Sequence, residues 1–245
     1  MARRRFFVGE VRNGRAELTG VDAYHLTRVL RVEPGQRYEL SDDHRVYLAE
    51  IETARKDQVL FRILEEIPER PLPVRIALFP ALTKFDRFEW MLEKATELGV
   101  ESIVPFESER SERGLERAAR KRMDRWKRIL LESSQQCRRD HLPPIVAPVS
   151  FETVLNSSAD YRFVLDEQPG RPALLSAVPA VRKSNDLAGV LIGPEGGWTD
   201  EERNAFESAG WTPVGLGSVI LRAETAAIAA LAILSAAWQK ITDSQ

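Results

Sequence analysis

The chain has 245 residues, of which 43% are hydrophobic and 29% charged, and its formal net charge is −2. This length allows one large domain or two modest ones, and the composition is that of an ordinary globular protein. The single cysteine, Cys137, excludes an internal disulfide and a cysteine-rich metal site, and the three histidines lack metal-ligand spacing.

The first residues are charged but are not followed by the apolar segment of a signal peptide. The longest apolar run, from Ala226 to Trp238, is shorter than the ~20 residues that cross a bilayer. We therefore expect a soluble cytoplasmic protein that has no contact with a membrane.

The first 70 residues predict mainly β-structure. Val59, Phe61 and Ile63 recur at every second position, as in a strand with one buried face. A short helix is predicted over residues 22–31, with Leu26, Val29 and Leu30 on one face. Short strands with polar turns favour a small barrel or sandwich. Three prolines over residues 68–73 then mark a domain boundary.

After residue 73, strands and helices alternate, which predicts a parallel sheet with helices on both faces. Apolar runs predict strands, and 3.6-residue periodicity, a capping box and glycines predict helices and their ends. The predicted strands are Val74–Leu78, Ser102–Phe106, Phe163–Leu165, Val190–Ile192 and Val214–Leu216. The predicted helices cover residues 85–98, one long basic stretch that ends at Gln136, residues 199–209 and residues 224–240.

The long basic stretch stands out against the slightly negative chain. Residues 110–128 carry nine Lys or Arg, at positions 110, 113, 117, 120, 121, 122, 125, 127 and 128, against three acids at 112, 116 and 124. Such a local excess is typical of a face that binds a polyanion. A solvated helix with mixed charges is the alternative.

The segment Gly193-Pro194-Glu195-Gly196-Gly197 follows an apolar strand and precedes a helix. Glycines let the backbone approach a ligand closely. The spacing is not that of a dinucleotide-binding loop, and no ribose-binding acid follows at the usual distance. A plain tight turn would explain two of the glycines, but a turn does not need the carboxylate of Glu195.

A second loop, Leu216–Arg222, also follows a strand and precedes a helix. Its apolar residues Val219, Ile220 and Leu221 predict a pocket for a flat ring such as adenine. The alternatives are that Ile220 and Leu221 belong to the core and that Arg222 and Glu224 pair at a helix end. Because loops at the carboxyl edge of a parallel sheet converge, we expect both loops side by side around one nucleotide-like ligand.

The last helix is apolar on nearly all sides, with small residues that let another helix approach. Such a helix is buried in the core or in a subunit interface, and we expect a homodimer.

Several segments together resemble one known family. They are RRRFF and YHLTRVLR near the start, KFDRFEWMLEKATELGVESIVPFESERS (84–111), QQCRRDHLPPI (135–145), IGPEGG (192–197) and LGSVILRAET (216–225). In this order they resemble the RsmE-type 16S rRNA uridine N3-methyltransferases of the SPOUT superfamily. The resemblance spans nearly the whole chain.

The resemblance implies a PUA-like β-barrel domain that binds RNA, over residues 1–72, and a SPOUT α/β domain with a deep trefoil knot, over residues 73–245. It also implies a homodimer that binds S-adenosylmethionine and methylates N3 of a specific uridine in 16S rRNA, naked or within the small ribosomal subunit. No metal is implied. Without the resemblance, the rule that chains are unknotted would favour a Rossmann-like sheet.

On the resemblance, the two loops and neighbouring strand ends bind the cofactor. The residues assigned to it are Leu165, Ile192, Gly193, Pro194, Glu195, Gly196, Leu216, Gly217, Ser218, Ile220, Leu221 and Ala226. The catalytic candidates are Arg222, which would stabilise the uracil anion, and Glu195 or Glu224, which would take the N3 proton unless water does. The residues assigned to RNA are Arg3, Arg4, Arg5, Arg28, Arg31, Lys84, Arg110, Arg120, Lys121, Arg122, Gln136 and Arg139.

Three other functions remain open at this point. The chain could be a non-catalytic RNA-binding protein of ribosome assembly with an empty site, a SPOUT methyltransferase that acts on another RNA, or a nicotinamide-dependent enzyme. Calorimetric titration with S-adenosylmethionine separates the first and third from a methyltransferase.

Overall fold

The computed structural model describes residues 5–242, with the side chains of residues 5–239. Arg3 and Arg4, assigned to RNA above, lie outside the described residues. The chain forms two compact units: Met1–Pro71 with Leu131–Leu142, and Leu72–Leu130 with Pro143–Gln245. None of the described helices is long and apolar enough to cross a membrane.

The first unit is built on a curled five-stranded sheet, which confirms the predicted β-structure. Its strands are β1 (Arg5–Phe7), β2 (Arg15–Thr19), β3 (Arg37–Ser41), β4 (Val46–Arg55) and β5 (Gln58–Ile67). They lie in the order β1-β3-β4-β5-β2, and β1 and β3 are parallel while the other pairs are antiparallel. Two register shifts between β4 and β5 act as bulges, which bend a strand pair.

The helix predicted over residues 22–31 is not regular. Helix α1 (Gly20–Tyr24) passes into a π-helical turn, His25–Val29, in which the Leu30 amide donates to the His25 carbonyl. Leu26 is buried, whereas Val29 and Leu30 are exposed. The prediction of one buried face is therefore wrong, because the wider π turn rotates the later residues away from the core.

Arg5 is buried, with only 1% of its surface exposed. Its guanidinium donates to Glu39 at 3.0 Å, to the carbonyl of Arg138 at 2.9 Å and to the carboxylate of Asp140. The prediction that Arg5 contacts RNA is wrong, since its donors are engaged inside the first unit. Arg5 instead fastens the segment Leu131–Leu142 to the edge of the sheet.

This buried ion pair predicts a large effect on stability. Replacing Asp140 with Ala leaves Arg5 with one carboxylate and frees the Arg70 amide that Asp140 accepts from at 2.7 Å. Because a buried charge loses a partner, we expect a loss of about 3 kcal/mol in the free energy of unfolding. Urea denaturation measures it. Glu10→Ala, which removes an exposed ion pair with Arg12, is the control and should leave the midpoint unchanged.

The second unit contains a five-stranded parallel sheet, as predicted. Its strands lie in the order β12-β10-β11-β6-β7, and each neighbouring pair is parallel. A separate pair, β8 and β9, forms a two-stranded sheet. The strands are β6 (Arg75–Pro80), β7 (Ser102–Ile103), β8 (Phe106–Glu107), β9 (Val149–Ser150), β10 (Tyr161–Leu165), β11 (Leu187–Ile192) and β12 (Thr212–Val214).

Successive side chains of the central strands enter two different cores. Val190 and Ile192 of β11 belong to one cluster, while Leu191 between them belongs to the other. This alternation is the two-residue period of a strand covered on both faces. The helices are α2 (Phe85–Glu97), α3 (Leu115–Arg120), α4 (Met123–Cys137), α5 (Phe151–Leu155), α6 (Leu174–Ala177), α7 (Asp200–Ser208) and α8 (Ala223–Thr242).

Two predicted elements are interrupted. The strand predicted over residues 102–106 is two strands, since Pro105 has no amide hydrogen to donate to a ladder. The long basic helix is also two helices, α3 and α4, with a break at residues 121–122. The predicted capping box of α7 is confirmed, because Thr199 and Glu202 exchange side-chain-to-backbone hydrogen bonds of 3.1 and 3.0 Å.

Candidate functional site

The carboxyl ends of β12, β10 and β11 open into three loops that line one cavity of about 630 Å³. Ligands bind at this edge in open parallel sheets. The sequence predicted that the two glycine-containing loops follow neighbouring strands. That is wrong, because β10 lies between β11 and β12 and supplies the third loop, residues 166–171. The two predicted loops nevertheless face the same cavity.

All the residues that were assigned to the cofactor line this cavity. They are Leu165, Ile192, Gly193, Pro194, Glu195, Gly196, Leu216, Gly217, Ser218, Ile220, Leu221 and Ala226. Of the catalytic candidates, Arg222 and Glu195 line it as well, and Glu224 is not among the lining residues. The structure thus brings the predicted residues together, and their roles remain predictions.

The loop after β11 rests on the indole of Trp198, which is fully buried. Trp198 Nε1 donates to the Leu165 carbonyl at 2.8 Å and so ties this loop to the end of β10. A Cβ at Gly193 would lie 2.8 Å from the indole, and a Cβ at Gly197, where φ is +69°, would lie 2.5 Å from the Glu167 carboxylate. The path of the loop therefore requires glycine at both positions.

Two arginines from elsewhere in the second unit hold the same loop. Arg87 of α2 pairs with Glu195, with 2.5 Å between Nη1 and Oε1. Arg110, which was assigned to RNA, donates from Nη1 to the Gly196 carbonyl at 3.0 Å. The loop is fixed by these contacts before any ligand binds.

Asp166, directly after β10, is the buried acid of the site, and its side chain has no exposed surface. Its carboxylate accepts from Arg171 at 2.8 Å and from Arg203 of α7 at 3.3 Å. Burial lowers the pKa of Arg171, but its hydrogen bonds to Asp166 and Glu207 outweigh that effect and raise the pKa above its ordinary value. Arg203 of α7 joins the third loop to that helix through Asp166, and Arg171 joins it through Glu207.

The loop after β12 exposes apolar side chains. Val219 is 70% exposed and Ile220 is 83% exposed, so neither belongs to the core, and the core alternative for Ile220 is wrong. Leu221 is half-buried. Apolar side chains at the edge of a cavity are available to a ligand or to a second protein surface.

The charged side chains of the cavity are paired, with one exception. Its acids are Asp166, Glu167 and Glu195, and each has an arginine partner. Its arginines are Arg87, Arg171 and Arg222. Arg222 is exposed and, among the side chains of residues 5–239, makes no ion pair with Glu224 or with any other acid. Arg222 is therefore the cation that remains available to a ligand.

Glu224 lies in the first turn of α8 and is 7% exposed. Its Oε2 atom is buried and has no hydrogen-bond partner among the described residues. Within the same residues, no group of three potential metal ligands is found.

The remaining RNA candidates differ in whether their side chains already have partners within the protein. Arg120 pairs with Glu116 and donates to the Pro148 carbonyl, and Arg122 pairs with Glu89. Arg139 donates to the His141 carbonyl. The other candidates, Arg28, Arg31, Lys84, Lys121 and Gln136, are exposed.

Four charged residues of the site were not predicted from the sequence: Arg87, Asp166, Arg171 and Arg203. A signal was present for Asp166 only, since Asp-Glu-Gln-Pro-Gly directly after a strand combines an acid with a turn at a sheet edge. Nothing local to Arg87 or Arg203 indicates that they meet acids of these loops.

The Asp166 network predicts that the site contributes to the stability of the unit. Replacing Asp166 with Ala leaves Arg171 and Arg203 without their buried partner, so we expect a loss of about 1–3 kcal/mol in the free energy of unfolding. The matched control is Asp200→Ala, which removes the exposed partner of the same Arg203. Urea denaturation in which both variants lose equal stability would contradict this account.

Comparison with known proteins identifies relatives over most of the chain. A family model described as an RNA methyltransferase domain matches residues 70–235, and a model described as an RNA methyltransferase PUA domain matches residues 18–64. Ribosomal RNA small subunit methyltransferase E of Bacillus subtilis is 31% identical, over 89% of this chain and 88% of its own. The protein of that name from Synechocystis is 33% identical, over 89% and 72%.

Comparison with solved structures finds relatives of the same kind. Ribosomal RNA small subunit methyltransferase E from Neisseria gonorrhoeae, solved with S-adenosyl methionine, has a TM-score of 0.85 and 28% identity, covering 96% of this chain and 98% of its own. A methyltransferase from Legionella pneumophila, solved with bound SAM, also has a TM-score of 0.85, with 32% identity and coverage of 97% and 98%.

Proposed function

The chain belongs to the RNA methyltransferase family, and from that premise we propose that it methylates N3 of a uridine in 16S rRNA with S-adenosylmethionine as the methyl donor. The single observation that carries the proposal is the convergence of the GPEGG and LGSVILR loops on one cavity. We propose that it acts in the cytoplasm on small-subunit rRNA.

The residues present suit S-adenosylmethionine. A cavity of about 630 Å³ is of the size that takes a nucleoside-type ligand. At Gly193 there is room for no side chain, so main-chain groups line the wall there. The exposed Ile220 can cover a flat base, and the hydroxyl of Ser218 and the backbone of the loops supply polar contacts. These residues of the two loops would hold the cofactor.

When bound, S-adenosylmethionine supplies a methyl group on a sulfonium, which is already activated for displacement. The uracil nitrogen is a weak acid, so it becomes a good nucleophile only as its proton leaves. We propose that the Arg222 guanidinium stabilises the negative charge that develops on the uracil. The cavity residues and the RNA contacts orient the two reactants.

The ion pairs of the cavity acids help to identify the group that accepts the N3 proton of the uracil. Each of the three lining carboxylates already accepts hydrogen bonds from an arginine and holds a loop in place. Glu224 is buried beside the helix core. We therefore propose that water takes the N3 proton and that Glu195 acts through Arg87 to position the loop.

The first unit is proposed to bind RNA. Its match to a PUA-domain model and its exposed Arg28 and Arg31 support this role. We divide the functions between residues 1–72, for RNA binding, and residues 73–245, for methyl transfer. The trefoil knot implied by the resemblance is part of the same proposal.

A homodimer is proposed as the active form. The exposed Val219 and Ile220 at the edge of the cavity support it, since large apolar side chains of this kind are usually covered by a partner. Sedimentation equilibrium of the wild type and of Ile220→Glu measures the association directly.

The decisive test combines binding with product identification. Calorimetry should show one cofactor site per chain, and mass mapping of 16S rRNA from cells with and without the protein should reveal one methylated uridine that depends on it. Absence of cofactor binding, or an unchanged rRNA map, would contradict the proposed function.

For Arg222, the expected phenotype separates chemistry from binding. Arg222→Ala should lower kcat by about 10²–10³, the usual cost of removing one donor to a developing anion, and leave the Kd for S-adenosylmethionine within a few-fold. Single-turnover assays and calorimetry measure the two quantities. The control is Arg75→Ala, at the amino end of β6, away from the carboxyl edge. Full activity of Arg222→Ala would remove this residue from the mechanism.

The two roles of Glu195 are distinguished by kinetics. If Glu195 positions the loop, Glu195→Gln should raise KM for the cofactor and change kcat by less than about tenfold, and Arg87→Gln should reproduce this pattern. If Glu195 is the base, kcat should fall by about 10²–10⁴. The pH profile of kcat then decides, since with water as acceptor the rate should keep rising with pH and show no carboxylate inflection.

A further inference from the structure

A second concave surface lies outside the cavity, between the start of α2 and helix α3. This surface, the α3 basin, measures about 340 Å³ and belongs entirely to the second unit. Three cations and no acid line it. The lining residues are Phe85, Gly114, Arg117, Ala118, Lys121 and Arg122.

Arg122 is held in place at the basin. Its guanidinium lies 4.4 Å above the centre of the Phe85 ring, and its Nη1 donates to Glu89 at 2.8 Å. The Phe85 ring is fixed in turn by an edge contact with the buried Trp126. An arginine has five N–H donors, and one of them is used by Glu89, so a fixed guanidinium retains donors for a ligand.

Arg117 and Lys121 are the available charges of the basin. Both are exposed, and neither forms an ion pair with the described side chains, those of residues 5–239. They are four residues apart, which places them on one face of the helical turn, where like charges repel. An anion bound between them would relieve this repulsion.

Neighbouring cations of the same basic stretch are already engaged. Arg120 is occupied by Glu116 and the Pro148 carbonyl, and Arg125 shares the buried Glu89 with Arg122. Within the basin, Arg117 and Lys121 are therefore two neighbouring cations of residues 110–128 whose charges are not taken up by an acid.

We propose that the α3 basin binds a backbone phosphate of the RNA substrate. This proposal rests on the proposed function, under which RNA is the substrate. The residues that would hold the phosphate are Arg117 and Lys121, together with Arg122, whose guanidinium is already fixed in position. A phosphate suits the basin because its oxygens accept from several donors at once, and guanidinium groups match that geometry. The Phe85 face is covered by Arg122, which leaves phosphate rather than a stacked base as the occupant.

The test compares two doubly neutralised proteins of equal charge. In the basin variant, Arg117→Gln is combined with Lys121→Gln. In the control, Arg75→Gln is combined with Lys183→Gln; both positions are exposed, Arg75 as the first residue of β6 and Lys183 four residues before β11. The probe is a 16S rRNA fragment that the wild type methylates, and its Kd is measured by filter binding from 50 to 300 mM salt.

We expect the basin variant to bind RNA about 10- to 100-fold more weakly, as for the loss of a charge-assisted contact. Its plot of log K against log salt should be flatter by about one. The control should bind RNA as the wild type does. The conservative single variant Lys121→Arg, which keeps the charge, should retain most of the affinity for RNA. Cofactor binding should be unchanged in every variant.

The other outcomes overturn the inference and are distinguishable. If the basin variant shows the slope and Kd of the control while the wild type binds and methylates RNA, the basin is not a phosphate site and the proposed function stands. If the basin variant binds the fragment normally but fails on assembled small subunits, the basin contacts a protein instead. If the wild type binds neither cofactor nor RNA, the proposed function itself fails.

Discussion

The cavity depends on one packing constraint, the burial of the Trp198 indole beneath the glycine loop. The indole lies almost parallel to the Phe106 ring, at 7° and 6.1 Å between centroids, and contacts Phe206 of α7 edge-on. Its N–H reaches the end of β10, and Gly193 leaves it the space. Because α7 is capped by the next residue, Thr199, the same contact also sets where that helix begins. A loop that must stay open for a ligand is thus supported from below by the core.

Ion pairs, in addition to packing, hold the loops of the cavity in place. The acids of the cavity are neutralised by arginines from separate elements, Arg87 from α2, Arg171 from the loop after β10 and Arg203 from α7. The Arg87–Glu195 pair and the pairs of Arg203 with Asp166 and Glu167 each join two elements, so neutralisation and rigidity arise together. The unpaired Arg222 is left beside acids whose charges are already neutralised. Such a site favours an anion that forms during a reaction.

Periodicity and glycine positions predicted the parallel sheet, the approximate bounds of α2, α7 and α8, and the two glycine-containing loops of the cavity, because these features are local. The strand order was not predicted, because the place of β10 between β11 and β12 is set by packing on both faces of the sheet and not by a local pattern. The ion pairs could not be predicted from local sequence patterns either. Arg87 and Glu195 are 108 positions apart, and the sequence does not indicate which acid pairs with Arg87. Pro105, by contrast, was visible and should have divided the predicted strand.

The basic stretch shows why a count of charges overstates a nucleic-acid surface. Of its cations, Arg120, Arg122 and Arg125 pair with Glu116 or Glu89, and the Glu89 pairs fasten α4 to α2. The Glu89 pairs connect α2 to the residues at and after the break between α3 and α4, and Lys121 in that break lines the basin together with Arg117. Cations that stabilise the fold therefore lie beside the cations that remain free. In a chain whose net charge is −2, affinity for a polyanion must come from such local concentration.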